Sequence, residues 1–164
     1  MKQLLQQYAA YNIWANKRFI EMANQLSDEQ INQEIVSSFP SVYKTALHLM
    51  EVENAWWERL KLVEHPSLSG WFSGNFEELS KRWLELSQQW LNWIKDANDA
   101  NITHVFAYYN SKKEYFKQPV YEMLLHLFNH QTFHRGQLIT MLRQLGLDKI
   151  PPTDYIVFSR GNKR

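Results

Sequence analysis

Four times along this chain, apolar side chains recur in steps of three and four, the spacing that lines one face of an α-helix. Leu4, Tyr8, Tyr11, Ala15, Phe19, Met22 and Leu26 trace the first stripe and predict a helix over residues 2–26, broken by Ser27 and Asp28. Val42, Ala46, Leu49, Val52, Trp56, Leu60 and Val63 trace the second, opened by Ser41 as N-cap and closed before Pro66. The third starts from Asn75, with Glu78 in the capping-box position, runs through Phe76, Leu79, Trp83, Leu86, Trp90 and Ile94, and fades near Asn98. The fourth opens with Pro119 at its first position and stops at Gly146, a residue favoured just past a helix end.

Between the third and fourth helices, residues 102–109 and 114–117 are rich in β-branched and aromatic side chains around Asn110 and Ser111, which predicts a small hairpin. Residues 64–74 carry Pro, Ser and Gly and read as a loop. The expected fold is therefore all-α: a four-helix bundle with a β-hairpin between helices three and four, filling residues 1–164 as a single domain. Cysteine is absent, so disulfides, thiolate metal sites and thiol nucleophiles are excluded. No apolar run is long enough for a membrane span and the first ten residues are not patterned as a secretory signal, so a cytoplasmic protein without membrane attachment is expected. A formal net charge of +1 supplies no broad surface for phosphate backbones, so no nucleic-acid partner is expected. The basic tail of Arg160, Lys163 and Arg164 reads as a solvated terminus.

His130 and His134 sit four residues apart inside the fourth helix and therefore project from one face, where two imidazoles can share an ion. His126 lies one further step back. The outer pair is about 12 Å apart along the axis, too far for bonds of about 2.0–2.1 Å to a common ion. Taking the direction shared by Leu127 and Leu145 as inward, the helical rotation places His134 about 20° away, His130 about 60° and His126 about 100°. His48 is the remaining mid-helix histidine, since His65 falls in a loop and His104 in a strand. Three neutral imidazoles from two helices leave one position for water or substrate, the pattern of a catalytic zinc site. Imidazoles equally suit zinc, nickel, copper and iron. Gln131 occupies the place where metalloproteases of the H-E-x-x-H type carry their general base, which disfavours that chemistry. Glu51, Glu53 and Glu122 read as solvated carboxylates, with Glu51, three residues after His48, the catalytic candidate. Arg135 reads as a helix-surface ion pair, His126 as an outer contact or packing residue, Trp14 as core and Asn12 as a liner of the pocket mouth.

The run from His126 through His130-Gln-Thr-Phe-His134-Arg-Gly-Gln to Leu138 resembles the signature of the DinB/YfiT-like family of metalloenzymes. Tyr11 to Arg18, the segment around His48, and Pro151, Pro152 and Asp154 are similar to its other conserved stretches, so the likeness covers nearly the whole chain. The resemblance implies a divalent ion, zinc or nickel, on His48, His130 and His134. It also implies a small-molecule substrate, with a low-molecular-weight thiol as co-substrate in an S-transferase or isomerase. The readings in competition are a thiol S-transferase, a water-activating hydrolase, and a non-catalytic bundle that the metal stabilises while it binds a small ligand or partner. The aromatic content and the family together suggest a homodimer.

Overall fold

The computed structural model describes residues 1–161, and Lys163 and Arg164 of the basic tail lie outside the described residues. The elements are α1 (Lys2–Ala23), α2 (Asp28–Asn32), α3 (Val42–Leu60), α4 (Phe76–Asp96), α5 (Asp99–Thr103), β1 (Val105–Tyr109), β2 (Tyr115–Pro119), α6 (Val120–Gln144) and α7 (Tyr155–Gly161). α1 packs on α4 and α6, and α3 packs on the same two, which closes a four-helix bundle with α1 diagonal to α3. β1 and β2 pair antiparallel from Val105 opposite Pro119 to Tyr109 opposite Tyr115. No helix among the described residues is long and apolar enough to cross a membrane.

The caps explain where helices begin. Ser41 accepts the Lys44 N–H, and Asn75 accepts from Glu78 while the Glu78 carboxylate takes the Asn75 N–H. Pro119 ends β2 and stands just before α6, whose first amide is satisfied by the His104 carbonyl at 2.9 Å. Elsewhere the expected boundaries shift. The first helix ends at Ala23, because Ser27 is not only a breaker: it caps α2 through a reciprocal pair with Gln30. The predicted first strand loses its beginning to α5, which Asn98 caps in the same way with Asn101. His104 thus sits between α5 and β1 and not in a strand.

The interior divides into two apolar halves. One gathers Phe19, Leu49, Met50, Leu79, Trp83 and Leu138, the other Leu5, Ala9, Trp56, Trp90, Leu127 and Phe128. Between them, on all four long helices, lies a polar layer. Asn12 and Asn16 of α1, Glu53 of α3, Ser87 of α4, and Gln131 and Arg135 of α6 are each buried there. Buried polar groups are costly unless bonded, and each of these residues makes at least one hydrogen bond, although Gln131 Oε1 has no partner. Glu53 Oε1 accepts from Asn12 Nδ2 at 2.9 Å and Trp83 Nε1 at 3.3 Å, and its Oε2 accepts from Ser87 Oγ at 2.8 Å. Arg135 Nη1 donates to Asn12 Oδ1 at 2.5 Å and to Asn16 Oδ1 at 2.9 Å. Two expectations are corrected here: Glu53 is fully buried and not a surface charge, and Arg135 is 3 % exposed and forms no surface ion pair. Asn12 likewise lies in this layer and not at a pocket mouth.

Candidate metal centre

α3 and α6 meet along one seam, and it is there that His48, His130 and His134 converge. Four residues bring His130 and His134 to the same face of α6, with ring centroids 4.5 Å apart. His48, from the middle of α3, reaches across with its ring 5.0 Å from His130 and 4.9 Å from His134. One nitrogen from each ring can be chosen so that all lie within 4.8 Å of one another. His48 Nε2 stands 3.1 Å from His130 Nε2. Two imidazole nitrogens bonded tetrahedrally to one zinc ion lie about 3.3 Å apart, so the spacing already suits a shared cation.

The surroundings select the coordinating nitrogens. Gln137 Nε2 donates to Ser38 Oγ at 3.1 Å, which leaves Gln137 Oε1 to accept from His134 Nδ1 at 2.8 Å. The proton is thereby held on Nδ1, and His134 Nε2 carries the free lone pair. Phe39, from the segment leading into α3, stacks on His48 at 4.0 Å and meets His134 edge-on at 5.6 Å, covering one side. Burial, with the charge of His134 second, lowers the pKa of His48 to about 4. Burial and the neighbouring histidines lower that of His130 to about 3. Both rings are therefore neutral at physiological pH, the form that ligates metal. No carboxylate lies among the clustered donors, and His130 Nδ1 is buried without a hydrogen-bond partner. The residues present fit a divalent cation.

The other candidates lie apart. Glu51 is buried, but its carboxylate takes the Gly70 N–H at 2.5 Å and pins the loop after α3; it is not among the clustered donors. Glu122 is exposed and accepts from Tyr121. His126 is exposed, 5.9 Å from the His130 ring and 5.6 Å from Trp56. Gln131 donates to the Leu49 carbonyl at 2.9 Å, a structural link between α3 and α6 and no base. Sequence reasoning gave Gln137 no role, although its place three residues after His134 is the signal, and it missed Phe39, whose loop carries no periodicity. A cavity of about 710 Å³ beside Ile13, Lys17, Leu84 and Trp93 has none of the three imidazoles in its lining. Donor geometry, not cavity size, marks this centre.

Residues 1–163 match the DinB family. Protein DinB of Bacillus subtilis (strain 168) is 30% identical over 154 residues, covering 88% of this chain and 87% of that protein. A DinB-like protein from Bacillus cereus ATCC 10987, known from a crystal structure, superposes with a TM-score of 0.64 at 19% identity, covering 84% of this chain and 89% of that one.

Proposed function

The chain belongs to the DinB family, and on that premise we propose that it is a metal-dependent enzyme, a thiol S-transferase, with zinc or nickel held by His48, His130 and His134. The observation that carries this reading is a cluster of three imidazoles that includes no fourth histidine or carboxylate among the described residues. A divalent ion held by these three imidazoles would supply the Lewis acidity that makes a thiol or water easier to deprotonate near neutral pH. The protein's part is to hold the donors ready. Gln137 fixes the His134 tautomer, Phe39 shields the His48 ring from water, and burial keeps His48 and His130 uncharged. His130 and His48 remain partly exposed, which leaves the centre a route to a small molecule. In the transfer itself a bond would form between the thiol sulfur and an electrophilic carbon as the bond from that carbon to its leaving group breaks, the leaving group departing with the electron pair and the thiol proton passing to solvent.

The test is to mix zinc- or nickel-loaded protein with a panel of low-molecular-weight thiols and a chromogenic electrophile. Thioether formation above the uncatalysed rate, lost in His130→Ala, is the expected result. Ester cleavage in the absence of any thiol would move the assignment to a hydrolase. No acceleration of either reaction would leave the ion as a stabiliser of the bundle and contradict the catalytic reading.

A further inference from the structure

About three helical turns along α3 from His48, another polar group stands without a partner. Arg59, in the last turn of α3, lays its guanidinium 4.7 Å above the Trp56 ring and 5.6 Å from the Tyr108 ring. It forms no salt bridge among the described residues, and its Nε is buried with no hydrogen-bond partner. Burial depresses its pKa, so the cation is held where it is poorly solvated. Arginine presents its donors as a planar fork, and a stacked guanidinium with neither a salt bridge nor a partner for its Nε is suited to an oxyanion.

Arg59 also lines a cavity of about 270 Å³, walled by Leu62, Val63 and Pro66 on one side and by Tyr108 and Tyr109 of β1 on the other. Glu64 borders the same cavity, but its side chain is 91% exposed and forms no salt bridge to Arg59; its carboxylate lies 4.0 Å from the His65 ring nitrogen. The aromatic chain continues toward the metal centre: Trp56 meets His126 at 5.6 Å, and His126 lies 5.9 Å from His130. Trp56 is eight residues after His48, about 12 Å along the helix. We infer that Arg59 receives the acidic group, a carboxylate or phosphate, of an extended small molecule whose reactive end is handled at the imidazole cluster. This rests on the proposed function for the identity of the reactive end, but the acid pocket itself does not.

Calorimetric titration of the metal-free protein with octanoate, 8-mercaptooctanoate and the neutral 8-mercaptooctanamide tests the pocket first. Both acids should bind more tightly than the amide. Arg59→Gln should weaken the acids by about tenfold or more while leaving the amide unchanged, as expected for loss of charge-assisted hydrogen bonds. Arg59→Lys, which keeps the charge that complements the end of α3, should retain preference for the acids and serves as the folding control. Equal binding of acid and amide, or acid affinity untouched in Arg59→Gln, overturns the inference whatever the metal centre does. Repeating the titrations with metal-loaded protein separates the sources of the acid. A gain for 8-mercaptooctanoate over octanoate places the acid on the thiol, and no gain places it on the electrophile. Failure of the protein to take up metal would count against the proposed function, and the metal-free titrations would still decide the pocket.

Discussion

Gln137 is the residue on which the readiness of the imidazole cluster turns, because it decides which His134 nitrogen is free. Gln137→Ala removes the acceptor for Nδ1 and should lower metal affinity by about 10–100-fold. Competition against a chromophoric chelator measures it. Gln137→Glu keeps an acceptor and should recover most of the loss, whereas an unaffected Gln137→Ala would show that the tautomer is set elsewhere. The His130–His134 pair was legible because four-residue spacing is a local property of a helix. His48 was reachable by elimination, having no neighbour in sequence that ties it to the other two. Arg135 was misread for the opposite reason: its partners Asn12 and Asn16 lie 123 and 119 residues away, and no local pattern distinguishes a buried arginine from a surface one.

The ends of α3 and α6 show how far helix boundaries can be read. Both close with the same pair of bonds: Val63 N–H to the Glu58 carbonyl with Leu62 to Arg59, and Leu147 to Leu142 with Gly146 to Arg143. In α6 the left-handed position is Gly146, φ +93°, and the sequence places the end correctly because glycine adopts that conformation without cost. In α3 it is Leu62, φ +56°, so the apolar stripe reads on toward Val63 while the helix stops at Leu60. A left-handed leucine costs about 1–2 kcal/mol. Leu62→Gly should therefore raise stability by roughly 0.5–1 kcal/mol after the entropy of glycine in the unfolded chain is discounted, read from urea unfolding. A destabilised variant would mean that the Leu62 side chain packs usefully despite its exposure. Five residues cannot carry an amphipathic stripe, which is why α2 and α5 escaped; their signals were the reciprocal caps Ser27 with Gln30 and Asn98 with Asn101.

Across the whole molecule, one polar layer ties α1, α3, α4 and α6 together between two apolar halves, and it gives stability a characteristic pH dependence. Burial pushes the Glu53 carboxyl up to about 7, against the hydrogen bonds from Asn12, Ser87 and Trp83 and the charge of Arg135. The folded state thus keeps this proton more tightly than the unfolded chain, whose group titrates at its usual value of 4.5. Its contribution is full below about pH 4.5 and is lost as pH rises toward about 7. Glu53→Gln should flatten the fall in unfolding free energy across that window, and an unchanged slope would contradict the assignment. Arg135→Ala should cost roughly 3–5 kcal/mol by stranding the layer's acceptors, and Glu53→Gln combined with Arg135→Ala should cost less than the sum of those two single changes. This scaffold sets α3 against α6 in the register that lets His48 meet His130 and His134. Elemental analysis of the purified parent beside His48→Ala, His130→Ala and His134→Ala tests that convergence most directly. A single divalent ion per chain in the parent, lost from every variant that still folds, is the predicted result; an ion retained without His48, or none in the parent after metal loading, would contradict the account.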